Sequence, residues 1–132
     1  MIKCHIFTPS GKHLELDTEI VSFDAPDSRR GIISGHMPIV ISVEVGRFST
    51  LLNGHRVHYA IGEGILYFSN NEAKFLVDSI EEQSEIDIQR AYAAKERAFN
   101  RLHTDTKNVD IQRAELALRK ANNRIAVANY KE

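Results

Sequence analysis

Apolar and polar residues alternate in short runs along the first part of the chain, at residues 2–6, 14–16 and 21–25. Because successive side chains of a strand point to opposite faces of a sheet, this pattern predicts strands with one buried face. Residues 48–52, 57–61, 65–69 and 73–77 are further short runs, and turn residues separate the members of each pair. Many short strands at roughly ten-residue spacing, with no helical stretch between them, predict an antiparallel β-sandwich.

Turn residues separate these runs. Asn53-Gly54 stands between two of them, and both central residues of a type I′ hairpin turn need positive φ, which Asn and Gly tolerate. Asn70-Asn71 occupies the same place between the next two runs, and residues 9–12 (Pro-Ser-Gly-Lys) form a turn near the start of the chain. The sequence therefore predicts hairpins at both asparagine-containing turns.

The pattern changes to a helical period after residue 83. Ser84, followed three residues later by Asp87, predicts a capped helix that begins at Ser84 and ends near Leu102. Residues 103–108 are polar and few, so the chain returns antiparallel, with Asn108 and Asp110 at the start of a second helix. Apolar residues at spacings of three and four form one seam on each helix. The seam residues are Ala91, Ala94, Ala98 and Leu102, and then Ile111, Ala114, Leu118, Ala121, Ile125 and Ala128.

Composition divides the chain at the same place. All seven glycines and all three prolines lie within the first 64 residues. Residues 1–83 carry seven basic and eleven acidic residues, whereas residues 84–132 carry ten basic and seven acidic residues. The predicted fold class is α+β, with a β-sandwich domain at 1–83 and an antiparallel α-helical hairpin domain at 84–132.

The two predicted helices repeat each other. Residues 87–101 align with residues 110–124 at nine of fifteen positions, and each copy carries three basic residues on one helical stripe. One interpretation is a pair of solvated basic stripes beside the seam. The other is a cleft that holds an anion, because the planar arginine fork suits phosphate oxygens. The stripes comprise Arg90, Arg97 and Arg101 on the first helix, and Arg113, Lys120 and Arg124 on the second.

Several other classes of protein are disfavoured. No phosphate-binding loop of the G-x-x-x-x-G-K-[ST] type is present, so we expect no ATP hydrolysis by this chain alone. His55 and His58 are three apart on a predicted strand and would point to opposite faces, so the sequence predicts no metal site. With one cysteine, no long apolar stretch and no apolar signal core, we expect a soluble, unexported protein of the cytoplasm.

The whole chain resembles the epsilon subunit of the bacterial F-type ATP synthase. The segment Gly31-Ile32-Ile33-Ser34-Gly35-His36-Met37-Pro38 and the segment Ile86-Asp87-Ile88-Gln89-Arg90-Ala91 carry the resemblance, together with residues 110–124. It implies a non-catalytic subunit that binds the gamma subunit and the c-ring through its sandwich. It also implies a hairpin that extends into the catalytic alpha and beta subunits and inhibits ATP hydrolysis. The implied location is the cytoplasmic face of the membrane, peripheral and without direct insertion.

The same resemblance implies two sets of site residues. Some members of the family bind ATP on the folded hairpin as a regulatory ligand, although none requires a cofactor. Lys120 replaces an expected arginine, which keeps the charge but loses the bidentate fork. The implied partner-interface residues are Gly31, Gly35, His36, Met37 and Pro38. The implied ATP-binding residues are Glu81, Ile86, Asp87, Arg90, Ala91, Arg97, Arg101, Arg113, Lys120 and Arg124.

Two alternatives to a rotor-stalk regulatory subunit stay open. The first is a stand-alone module that binds nucleotide or nucleic acid through the basic hairpin. Its surplus of three positive charges over 49 residues, with acidic residues interspersed, is weak for phosphate tracking, so we expect no nucleic-acid partner. The second is an enzyme, for which the sequence shows no catalytic constellation.

Overall fold

A computed structural model of the chain describes residues 1–104 and 108–131, with residues 108 and 109 described by their backbone alone. Ten strands precede two helices, and a short 3-10 turn at Gln83–Glu85 leads into the first helix. The strands are β1 (Ile2–Phe7), β2 (His13–Thr18), β3 (Ile20–Asp24), β4 (Arg29–Ile33), β5 (Ile39–Val43), β6 (Gly46–Leu52), β7 (His55–Ile61), β8 (Gly64–Ser69), β9 (Glu72–Val77) and β10 (Ile80–Glu82); the helices are α1 (Ile88–Leu102) and α2 (Asn108–Ala128).

The strands form two five-stranded sheets. The first sheet has the order β2-β1-β9-β8-β5, and the second has the order β10-β7-β6-β3-β4. All pairs are antiparallel except β1 with β9, which are parallel. β1 and β9 are about 65 residues apart in sequence, so no tight turn forces them to run in opposite directions. The predicted sandwich is therefore confirmed, with one parallel pair that the sequence did not predict.

Aromatic rings join the two sheets at the centre of the sandwich. Phe75 of the first sheet meets Phe23 and Phe48 of the second edge to face, with ring centroids 5.7 and 5.0 Å away. All three rings are fully buried. Such pairs add about 0.5–1.5 kcal/mol each beyond the area that they bury. The sandwich consequently has its own core, which lies within residues 1–82.

The two predicted hairpin turns are confirmed by their backbone geometry. Asn53 and Gly54 have φ of 53° and 76°, and Asn70 and Asn71 have φ of 51° and 58°. No local pattern in the sequence predicts strands β4, β5 and β10. β4 begins with Arg29, Arg30 and Gly31 and has only a short apolar run, and β10 is only three residues long.

The C-terminal helices form the predicted hairpin, and the α+β fold class is confirmed. α1 ends at Leu102 as predicted, but its start differs: Ser84 lies in the 3-10 turn, and Asp87 is the N-cap. Asp87 has the extended backbone of an N-cap, and its carboxylate accepts a hydrogen bond from the Arg90 amide. The predicted cap at Asn108 and the middle of the 103–108 link lie outside the residues whose side chains are described.

The chain divides into two compact units, Met1–Glu82 and Gln83–Glu132.

Candidate functional site

The motif at residues 86–91 shapes the beginning of α1. Ile86 and Ala91 are buried, and Asp87 caps the helix through Arg90. The Arg90 side chain is exposed. Three of the residues that the resemblance assigns to ATP thus pack or cap the helix, and both Asp87 and Arg90 are exposed.

Small residues line the buried side of the hairpin. Ala91 and Ala98 are the buried residues of α1, and Ala114 and Ala121 are buried at matching places on α2. The remaining predicted seam residues are half-buried. Alanine allows helices to approach closely but contributes little apolar area at about 25 cal/mol per Å². The hairpin therefore has little apolar burial to hold its two helices together.

Gln83 stabilises the end of α2, a contact that the sequence did not predict. Its side-chain amide donates hydrogen bonds of 2.8 Å to the carbonyls of Val127 and Tyr130. The last carbonyls of a helix lack partners within the helix, and Val127 is in the last turn of α2, whereas Tyr130 lies just beyond its end. Val127 is also buried and lies beside the predicted seam.

An open cleft of about 610 Å³ lies near the link between the two helices. Arg101 near the end of α1 and Arg113 near the start of α2 both line it, and both side chains are exposed. Arg101 and Arg113 are not equivalent positions of the repeat, because Arg101 corresponds to Arg124 and Arg113 corresponds to Arg90. The antiparallel return of the chain is what brings these two guanidinium groups to one cleft. Its remaining lining residues are Asp110, Ala114 and Ala117.

The cleft combines both signs of charge. Asp110 lies in the first turn of α2, where a carboxylate interacts favourably with the helix dipole. The Asp110 carboxylate also lines the cleft together with the two arginines that a phosphate would contact. The cleft is thus suited to an anion but carries one acidic group that opposes it.

The other predicted ATP-binding residues do not line this cleft. Arg90 lies eleven residues before Arg101, which is about 16 Å along a helix axis at 1.5 Å per residue. Arg124 lies the same distance beyond Arg113, so both belong toward the opposite end of the hairpin. Arg97 is exposed, Lys120 and Arg124 are half-buried, and Glu81 lies on β10 of the sandwich, paired with Ala60.

The predicted partner-interface residues form the end of β4 and the loop that follows it. Gly35 has φ of 87°, and its N–H donates to the side-chain oxygen of Asn71. The ring of His36 lies edge to face against Phe68, and its Nδ1 lies 2.7 Å from the Met37 carbonyl oxygen. Met37 is 72% exposed, and Gly31 and Pro38 are exposed as well. The loop is held in place by Asn71 and Phe68 and presents Met37 to solvent.

Apolar side chains also cover part of the outer face of the first sheet. Tyr67 lies opposite Val40, and Leu76 lies opposite both Ile65 and Phe7. Val40, Ile65, Tyr67 and Leu76 are exposed, and Phe7 is half-buried. We call these five residues the strand patch. Contiguous exposed apolar residues of this kind mark a surface for another protein.

Two family models together match nearly the whole chain. The beta-sandwich domain of the ATP synthase delta/epsilon chain matches residues 1–83, and the long alpha-helix domain matches residues 84–129. The chain belongs to the ATP synthase delta/epsilon chain family. The resemblance inferred from the sequence motifs is confirmed, and membership in this family makes the chain a non-catalytic subunit, as predicted.

Individual members of the family are similar over most of their length. The ATP synthase epsilon chain of Bacillus cytotoxicus is 37% identical over 126 residues, covering 96% of this chain and 95% of that one. The ATP synthase epsilon chain of Lactobacillus johnsonii is 35% identical over 102 residues, covering 74% and 70%. This chain is accordingly an epsilon subunit of an ATP synthase.

Two solved structures share the fold. A chain of the Euglena gracilis mitochondrial ATP synthase superposes with a TM-score of 0.77 at 18% identity, covering 92% of this chain and 78% of that one. A chain in the central stalk and c-ring structure of the Tetrahymena thermophila mitochondrial ATP synthase superposes with a TM-score of 0.69 at 8% identity, covering 97% of this chain and 96% of that one.

Neither α1 nor α2, over the residues described, is long and apolar enough to cross a membrane.

Proposed function

We propose that this epsilon subunit works in the central stalk of a proton-translocating F-type ATP synthase and restrains ATP hydrolysis through its hairpin. Its sandwich binds the gamma subunit and the c-ring. Its hairpin acts on the catalytic alpha and beta subunits, and ATP acts as its regulatory ligand. The location is peripheral, at the cytoplasmic face of the membrane. The observation that carries this proposal is the strand patch, since a subunit that only had to stay soluble would not expose it.

The strand patch continues into the loop that bears the family motif. Val40 of the patch follows Met37 and Pro38 by only a few residues, and Ile33 on the other side of the loop is 58% exposed. Surfaces with an apolar centre and a polar rim are typical of stable protein interfaces. We assign the strand patch to the gamma subunit. The loop with Gly31, Gly35, His36, Met37 and Pro38 is the contact to the c-ring.

The hairpin has the properties that a conformational inhibitor needs. The fully buried positions of its seam are alanines, which contribute little apolar area against its opening. Its surplus of basic residues favours acidic surface on the catalytic subunits, and such complementarity fixes the register of binding more than its affinity. The balance between the folded and extended hairpin is then set by whatever binds one form better.

ATP is the ligand that favours the folded form. Arg101 and Arg113 share a cleft only when the helices pack antiparallel, so folding of the hairpin builds the phosphate site. A ligand that binds one state alone stabilises it by about 2.7 kcal/mol at a hundredfold excess over Kd. The resemblance adds the basic side chains of Arg90, Arg97, Lys120 and Arg124. It assigns Asp87 and Ala91 to the adenine side, with Ile86 in the same motif and Glu81 in support.

The test uses the assembled ATP synthase. Deletion of residues 84–132 is expected to leave the subunit in the complex and to raise ATP hydrolysis, because the sandwich keeps its core and its strand patch. Leu76→Asp is expected to reduce retention of the subunit by the gamma subunit. His55→Asp, an exposed change on β7 in the other sheet, is the matched control and is expected to assemble normally.

Two outcomes would contradict separate parts of this proposal. Unchanged hydrolysis after the deletion would remove the inhibitory role and leave a structural subunit. Equal retention of Leu76→Asp and His55→Asp would show that the strand patch is not the assembly surface.

A further inference from the structure

Two histidines and a glutamate lie together on the β1–β2 hairpin, beside Phe7 at the edge of the strand patch. His5 on β1 lies directly opposite Glu15 on β2, and His13 precedes Glu15 by two residues. Alternate residues of a strand share a face, so all three side chains lie on the outer face of the first sheet. Their nearest ligand atoms all lie within 4.8 Å of one another.

We propose that His5, His13 and Glu15 bind a divalent transition-metal ion, with Zn²⁺ as the reference ion. Two imidazole nitrogens and one carboxylate oxygen are a donor set that zinc accepts, with bonds of about 2.0–2.2 Å. Tetrahedral coordination at that length separates the donors by about 3.3 Å, so the widest pair has to close by roughly 1.5 Å. His13 and Glu15 are exposed, so their side chains can adjust by this amount without disturbing the core.

Ring contacts restrict the positions of the two imidazoles. The His13 ring stacks on Phe7 with centroids 4.4 Å apart and planes 13° apart. The His5 and His13 rings lie 5.8 Å apart and within 20° of parallel. The His5 side chain is only 16% exposed, so one ligand is already ordered before the ion arrives. Ordering the ligands beforehand lowers the entropic cost of binding.

Neighbouring charges complete the site. Glu72 on β9 has Oε1 3.7 Å from Nε2 of His5, and it supplies either a fourth ligand or the partner that orients the His5 ring. Lys3 lies 3.4 Å from Glu15 and competes with the ion for that carboxylate. Both members of this ion pair are about half exposed, and exposed ion pairs are weak in water, so the metal displaces Lys3 at small cost.

The donor set also selects the ion. Imidazole suits zinc, copper and nickel, whereas Mg²⁺ prefers six oxygen ligands. From the sequence, only His55 and His58 stood out as a pair of possible ligands. His5 and Glu15 are ten residues apart in the chain, and only the register of the β1–β2 hairpin brings them together.

The test is calorimetric titration of the purified full-length chain with zinc chloride in a buffer that does not chelate. We expect one ion per chain, and no comparable heat with magnesium chloride. Since even outer partners of a metal site contribute about 10- to 100-fold in affinity, His13→Ala and Glu15→Gln should each weaken binding by at least about tenfold. Both positions are exposed, and circular dichroism checks that each variant is folded.

His55→Ala is the matched control, because it removes an exposed histidine from the other sheet. It is expected to bind zinc as the unmodified chain does. Imidazole NMR signals of His5 and His13 should shift on zinc addition while that of His55 stays. The proposal is overturned by absence of binding at millimolar zinc, by equal affinity in His13→Ala, by loss of binding in His55→Ala, or by Mg²⁺ binding with equal affinity.

Discussion

The carboxylate of Asp87 accepts a hydrogen bond from the backbone N–H of Arg90, with Oδ1 and N 3.1 Å apart. Both residues belong to the motif at 86–91 that the family resemblance connects with ATP. The bond is nevertheless the N-cap of α1. The motif therefore has a structural role, to start the first helix, in addition to the role that we propose in the ATP response.

Loss of this cap is expected to loosen the hairpin. Asp87→Ala should destabilise α1 by about 1 kcal/mol, because an amide at the helix start loses its only side-chain acceptor. Amide hydrogen exchange of residues 88–94 should become faster in the variant. Asp87→Asn keeps the acceptor oxygen and should exchange nearly as slowly as the unmodified chain; equally fast exchange in both variants would contradict the cap.

Gly64 is required by the close approach of β8 to β9. A Cβ at this position would overlap the backbone carbonyl of Leu76, which cannot rotate away as a side chain can. Gly64→Ala should therefore lower the free energy of unfolding by about 1–3 kcal/mol. Gly31→Ala is the control, since the nearest atom to its Cβ would be Ser22 Oγ at 3.9 Å. Urea unfolding of the two variants should separate them clearly.

Cys4 is expected to be inert in the folded protein. Burial raises the pKa of its thiol from 9.0 to about 12, because the thiolate is poorly solvated in the core of the sandwich. In the unfolded chain the thiol ionises near pH 9, so its contribution to stability is complete below that pH and falls away between about pH 9 and pH 12. Alkylation of Cys4 should consequently follow unfolding.

The stability of the Cys4→Ala variant provides the comparison. The unfolding free energy of the unmodified chain should fall by up to about 1.4 kcal/mol per pH unit more than that of the variant above pH 9. Rapid alkylation of the native chain, or equal pH dependence in both proteins, would show that the thiol is accessible to water.

Local chemistry explains which features the sequence could predict. Asn53-Gly54 needs positive φ at two successive positions, so it specifies its turn without help from the rest of the chain. The start of α1 is different, because Ser84 and Asp87 are both good N-caps and the sequence alone does not decide between them. The 3-10 turn at Gln83–Glu85 occupies the residues that a Ser84 cap would have required.

Features that depend on strand or helix register could not be predicted in the same way. β1 and β9 lie near the two ends of the sandwich's sequence, and no local signal in either strand predicts that they pair in parallel. The meeting of His5 with Glu15 depends on the register of a hairpin, and that of Arg101 with Arg113 depends on the length of the link between helices. Periodicity placed each arginine on a stripe but did not show which arginines share a cleft.

The cleft between Arg101 and Arg113 predicts how charge changes alter ATP binding to the isolated chain. Arg113→Gln should weaken binding, because it removes one of the two cleft guanidinium groups. Asp110→Asn should strengthen it, because it removes the carboxylate that opposes the phosphates. Lys95→Gln is the control of equal charge loss, since Lys95 lines a different depression with Tyr92 and Phe99.

The resemblance makes two further predictions for ATP binding: Arg90→Ala should abolish it, and Lys120→Arg should tighten it. Calorimetry with ATP distinguishes these cases: equal affinities for Arg113→Gln and Lys95→Gln would mean that net charge, and not this cleft, governs the response to ATP.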